Sequence, residues 1–255
     1  MADDLTARFV ALASQPAHDW PLDEAMLLVA AHAHPALDVA AERERLDRLA
    51  AGVAEPTVDA LRRHLFVDEG FAGDRATYHD PRNSLLPDVL DRRLGIPITL
   101  SVLMMEVGRR VGVGVDGIGL PGHFVARSRA APDRYVDAFD GGRELDADGC
   151  RALVAALAPA VAWDDAFLVP VPAPAIVARV LANLAGAYRR AGDRRGLCWV
   201  LGLRLELPGA TAQERRELGV LLGASGRFDE GATVLEVSHE DRDQAAAARL
   251  RARLN

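Results

Sequence analysis

The most constraining stretch of this chain is an apolar segment led by a proline. Gly95-Ile96-Pro97 is followed by Ile98 to Val111, in which Leu100, Leu103, Met104 and Val107 share one face at helical spacing. Proline costs nothing at the first position of a helix, because the N–H it lacks would have no acceptor within the helix. A helix this apolar is expected to be central to a core. After Gly112 the pattern changes. Val113 to Leu120, His123 to Arg127 and Arg134 to Phe139 are short segments of β character. Pro121-Gly122, Pro132-Asp133 and Gly141-Gly142 punctuate them. That alternation predicts a small antiparallel sheet.

Helices flank this centre. Residues 3–70 read as a helical lobe: Leu5, Phe9, Val10 and Leu12 form one run, and Ala25, Leu28, Val29 and Ala30 a second. A third covers about 37–51 and ends at Gly52, and a fourth runs from near Pro56 to Phe66. Residues 71–81 read as loop, and Asn83-Ser84 as a cap before a short helix ending near Arg92–Leu94. Asp146 to about Ala156 returns to helix, and the proline-rich stretch 161–175 reads as a linker. From Ile176 the chain is helical and repeats itself. Leu184, Gly192 and Leu201 recur as Leu218, Gly226 and Leu235, a constant offset of 34 residues. That period is the tetratricopeptide one.

Composition removes several functions. All 30 basic residues are arginine, so Schiff-base and phosphate-loop lysine chemistry is excluded. A net charge of −7 argues against a nucleic-acid module. Two cysteines, Cys150 and Cys198, cannot form a disulfide framework. No apolar run is long enough for a membrane span, and the acidic start Met1-Ala2-Asp3-Asp4 does not read as a signal peptide. The expected compartment is the cytoplasm. His32-Ala-His34 points its rings apart on a helix, so no metal site is expected there, and no cofactor is expected.

A helix N-terminus followed by a histidine strand and an aspartate strand is the order used by papain-like and transglutaminase-like cysteine enzymes. The helix dipole activates a thiol, the histidine moves the proton and the carboxylate fixes its tautomer. The runs Asp80-Pro-Arg-Asn-Ser-Leu-Leu86, Arg92-Arg-Leu-Gly-Ile-Pro-Ile-Thr-Leu-Ser101, Pro121-Gly-His-Phe124 and Tyr135-Val-Asp-Ala-Phe-Asp-Gly-Gly142 resemble the bacterial SirB-type family. The resemblance implies an α+β architecture. A transglutaminase-like domain over 1–160 would comprise a helical lobe over 1–70 and a core over 71–160. The linker over 161–175 and all-α tetratricopeptide-like repeats over 176–255 would follow.

The resemblance implies that His123 and Asp137 hold the family's histidine and aspartate positions. Pro97 stands where the superfamily places its cysteine, so the thiol is missing, and with it a backbone N–H that could serve an oxyanion. Thr99 and Ser101 are the nearby hydroxyls, Ser101 lying about 6 Å further along the helix. Arg82, Asn83 and Ser84 are candidate cleft residues, Asn83 as a donor to a carbonyl. The expected function is a non-catalytic binding or regulatory module with another protein as partner and no contact with nucleic acid or membrane. The alternatives are a divergent hydrolase or acyltransferase using His123 and Asp137 with a different nucleophile or water, and a pure scaffold.

Overall fold

The computed structural model describes residues 2–254. The N-terminal lobe is built from α1 (Ala2–Ala13), α2 (Leu22–Ala33), α3 (Val39–Ala51) and α4 (Val58–Arg63). The Asp38 carboxylate caps α3 by accepting from the Ala40 and Ala41 amides, and the Thr57 hydroxyl caps α4 by accepting from Ala60. A π-turn at His64–Asp68 continues α4. Two-residue strands β1 (Ala72–Gly73) and β2 (Leu94–Gly95) pair in parallel. Between them lie a 3-10 turn at Pro81–Ser84 and α5 (Leu86–Arg92). Arg93 ends α5 with φ of 57°, a left-handed cap that turns the chain into β2.

The apolar segment forms α6 (Pro97–Arg110), with Pro97 as its first residue and buried side chains around most of its circumference. It packs against α3, α4 and the sheet that follows. That sheet is antiparallel in the order β3 (Val115–Ile118), β4 (Val125–Ser128), β5 (Tyr135–Asp137), β6 (Arg143–Leu145). The central helix can lie close to its neighbours because Gly108 has no side chain. A Cβ there would stand 2.9 Å from the Val113 carbonyl oxygen.

After α7 (Ala147–Leu157), the proline-rich stretch is pinned to the sheet where the sequence suggests a linker. Val171 N–H donates to the Gly117 carbonyl at 2.8 Å, Pro170 bridges to Ile118, and Trp163, Phe167 and Leu168 pack on Ile118, Tyr135 and Cys150. The correction has a plain cause: prolines suit a segment with few backbone donors to satisfy, and such a segment still packs through its aromatic neighbours.

The chain divides into two compact units, Met1–Val180 and Leu181–Asn255, the boundary falling inside α8 (Ala173–Ala191). The second unit continues with α9 (Arg194–Leu205), α10 (Ala212–Ala224), α11 (Phe228–Glu236) and α12 (Asp241–Arg251). Gly192 and Gly226 stand at the turns of successive helical hairpins, both at positive φ (68° and 82°). The 34-residue offset therefore recurs in backbone conformation as well as in residue type.

One feature of the core has no signal in the sequence. Asp23, fully buried on α2, accepts from Arg110 at 2.6 Å and from Arg43 at 3.1 Å, and Glu106 binds the same Arg110 at 2.9 Å. Burial works to raise the Asp23 carboxyl, but Arg110 and Arg43 hold it below its usual value. Burial and the Asp23 charge push Glu106 the other way. Asp23→Asn removes a partner from a nearly buried guanidinium and is expected to cost about 3 kcal/mol in urea unfolding at pH 7. Glu24→Gln, which breaks the exposed pair with Arg8, is expected to cost less than about 1 kcal/mol. Equal effects would show that the buried network is not a determinant of stability.

Candidate functional site

The histidine is carried by a tight turn. Leu120-Pro121-Gly122-His123 closes with a hydrogen bond from His123 N–H to the Leu120 carbonyl at 3.1 Å, and Gly122 takes the positive φ, 75°, that this turn demands. The aspartate ends β5, where its carboxylate caps the 3-10 turn Ala138–Asp140 by accepting from the Phe139 and Asp140 amides at 3.1 and 3.2 Å. Neighbouring antiparallel strands, β4 after the histidine and β5 before the aspartate, bring the two together. His123 Nε2 and Asp137 Oδ1 are 2.9 Å apart and both residues are buried. A carboxylate can only accept, so Nε2 carries the proton and Nδ1 is the basic nitrogen. The Phe139 ring meets both His123 and Tyr78 edge-on, at 6.1 and 5.8 Å between centroids. It lies against the backbone of Gly73, where a Cβ would come within 2.5 Å of it.

The other sequence candidates divide sharply. Asn83 is fully buried and its amide is consumed: Nδ2 donates to the Thr77 and Tyr78 carbonyls, and Oδ1 accepts from Arg92 at 2.8 Å. It has no donor left for a bound carbonyl. Thr99 donates to the Asn83 carbonyl at 2.6 Å and accepts from the Ile96 amide at 3.2 Å, which locks the loop onto the start of α6. Ser84 is buried beside Asn83 in the 3-10 turn. Arg82 is largely exposed and pairs with Asp80 at 2.6 Å. Ser101 is fully buried, its Oγ without a hydrogen-bond partner and closed to a substrate.

Arg92, at the end of α5, is half-buried and binds both Asn83 and Asp74. Burial would raise the Asp74 carboxyl. The Thr77 hydroxyl and amide, with Asn83 and Arg92, outweigh it and hold the group at about 2.

The thiols do not fill the place that Pro97 leaves empty. Cys150 is fully buried, and burial together with the charges of Asp146 and Asp137 pushes it up to about 12. It is therefore a thiol and not a thiolate at neutral pH. What the site offers is a histidine–aspartate dyad with an unused Nδ1, bounded by Tyr78 and Phe139. Among the described residues, no group of three or more His, Cys, Asp or Glu could hold a metal ion, and no helix is long and apolar enough to cross a membrane.

Two measurements check this geometry. A folded-state value near 2, below the unfolded 3.8, means that Asp74 contributes stability above pH 4 and loses it as pH falls towards 2. The contribution at pH 7 is about 2 kcal/mol. The gap in unfolding free energy between wild type and Asp74→Asn should therefore narrow by about 1 kcal/mol between pH 7 and pH 3. A constant gap would mean that the carboxylate is not held. Cys150, for its part, should resist a thiol reagent such as dithionitrobenzoate in the native protein and react only on denaturation. Prompt native labelling of Cys150 would show an accessible thiolate.

Comparison with known proteins shows the family. The model of the transglutaminase-like superfamily matches residues 30–182. A UPF0162 protein of Xylella fastidiosa is 36% identical over 194 residues, covering 70% of this chain and 69% of the relative. A UPF0162 protein of Pseudomonas aeruginosa is 33% identical over 183 residues, covering 68% and 66%. Mouse F-box only protein 21 is 32% identical over 106 residues, which span 38% of this chain and 17% of that protein. No solved structure matches the chain significantly. A superfamily match across the dyad and its surrounding helices, with relatives of this identity over most of their length, places the chain in the UPF0162 family of transglutaminase-like proteins.

Proposed function

We propose that this chain is a non-catalytic transglutaminase-like protein that binds a partner through the cleft beside His123 and Asp137. Its C-terminal helices would act as tetratricopeptide-like repeats of the SirB-type architecture and offer a second protein-contact surface. The observation that carries the reading is Pro97 as the first residue of α6 while the dyad persists at 2.9 Å. Proline supplies neither nucleophile nor oxyanion donor at the helix end where acyl transfer needs both. The hydroxyls of Ser84, Thr99 and Ser101 and the Cys150 thiol are buried, which further supports a binding role. Arg189, paired with Glu217 at 2.6 Å, belongs to a charged face on the repeats suited to a polar partner.

A second reading has one observation in its favour. The unused Nδ1 of His123 could activate a water for hydrolysis, with Asp137 fixing the tautomer. The two readings part on turnover. Purified full-length protein should not hydrolyse p-nitrophenyl acetate or peptidyl amides, nor couple a labelled amine to glutamine peptides, above the rate of His123→Ala. Iodoacetamide should leave partner binding unchanged. Turnover lost in His123→Ala would establish the hydrolase instead.

A further inference from the structure

Arg179, on the first turns of α8, is a half-buried cation whose charge no carboxylate among the described residues balances. Its Nη2 donates to the Leu120 carbonyl at 3.0 Å and to the His123 carbonyl at 2.7 Å, so it staples both ends of the turn that carries the histidine. Its guanidinium lies over the Phe124 ring at 5.5 Å. Every one of these partners is neutral. Other half-buried arginines of this unit are paired: Arg92 with Asp74, Arg110 with Asp23, Arg127 with Asp116. Burial accordingly lowers the affinity of Arg179 for its proton, with the Tyr78 phenol working weakly against that.

A guanidinium has five N–H donors. The two carbonyls engage only Nη2, and Nη1 and Nε have no protein acceptor. These atoms are absent from the buried unpartnered ones, Arg62 Nε, Ser101 Oγ, Arg127 Nε and Arg204 Nε, so they face open space. Gly119 makes room for the group, since a Cβ there would stand 3.2 Å from Nη1. Tyr78, 39% exposed and close enough to feel the Arg179 charge, stays a neutral phenol with a free hydroxyl. The acids around the dyad have partners of their own: Asp140 pairs with Arg75 at 2.7 Å and with Arg143 at 3.0 Å, and Asp137 accepts from His123 and lies 4.0 Å from Arg143. One positive charge without an acidic partner therefore remains among the described residues, close to the Tyr78 phenol and bound to the backbone of the residue that carries the free imidazole nitrogen. Leu157, 52% exposed and packed on Gly122, gives the rim an apolar surface.

We propose that the His123 cleft is a receptor for a carboxylate on an apolar body, held by Arg179 and Tyr78 next to His123. This rests on reading the cleft as a binding site. A single guanidinium charge matches a monoanion, and the two oxygens of a carboxylate suit its planar fork.

The test is an NMR titration of the isotope-labelled full-length chain, following the His123 ring and the Arg179 Nε–H. The probes are N-acetyl-phenylalanine, its uncharged amide and inorganic phosphate. The acid should give saturable shifts at both residues, the amide should bind at least tenfold more weakly, and phosphate should not compete. Tyr78→Phe should weaken the acid about tenfold, a charged hydrogen bond lost. Arg179→Lys keeps the charge and can still reach a carbonyl, but loses the planar fork, and should weaken it by at least as much. Equal binding of acid and amide would overturn the carboxylate assignment and leave the cleft-binding reading intact. Phosphate saturating where the acid does not, or no shift with any probe, would overturn the proposal. Failure of the non-catalytic reading shows separately, as turnover in the assays above.

Discussion

The site depends on one knot of hydrogen bonds around Asn83. Its carbonyl accepts from Thr99 on α6, its side-chain oxygen accepts from Arg92 at the end of α5, and its amide ties down the Thr77–Tyr78 loop. Arg92 carries the same network to Asp74, whose backbone N–H in turn donates to the Gly95 carbonyl at 3.0 Å. Four short segments between residues 74 and 92 are thus fixed to the first turn of a single helix. Asn83, Thr99 and Asp74 are buried, and a buried polar group left unpaired costs more than the bond it made. This explains why a loop of seven or eight residues with almost no regular structure holds Tyr78 and the Gly73 seat of Phe139 in place beside the dyad.

Much of this was legible in the residues, because it follows from local rules. The proline-led start of α6 reflects a missing N–H that a helix does not need there. The turn under His123 reflects proline followed by a glycine able to take positive φ. The alternation of β segments with turn pairs yields three of the four strands in order. The meeting of His123 and Asp137 is local in the same sense, since strands joined by short turns are neighbours. What escaped depends on distant partners. The parallel β1–β2 ribbon is two residues long and carries no periodicity. The Asp23 network joins helices far apart in sequence, and its acids look like ordinary helix-start residues. Asn83 and Thr99 are polar and stand beside the motif, so they read as cleft residues. Only the three-dimensional partners show that their hydrogen-bonding capacity is spent on structure. Arg179 is one arginine among 30, and nothing in its own neighbourhood of alanine and valine marks it.

The dyad alone is weak evidence of chemistry, because half of it has a structural duty. Asp137 would be needed without any reaction, since its Oδ1 caps the Ala138–Asp140 turn and so fixes the Phe139 ring. Replacing it would leave two amides unpaired in a buried corner. The same does not hold for His123. Its ring makes one hydrogen bond, to a carboxylate already supplied with donors, and an apolar side chain of similar size would fill the space without leaving a polar group unpaired.

What surrounds the histidine is therefore more telling than the aspartate. A turn held at both ends by a cation fixes the imidazole more firmly than packing requires. A half-buried guanidinium facing only neutral groups keeps part of a desolvation cost that a carboxylate within the protein would have offset. Folding stability gains nothing from leaving that charge unanswered. That unanswered charge, on the turn that carries a free imidazole nitrogen, is what the proposed carboxylate would answer.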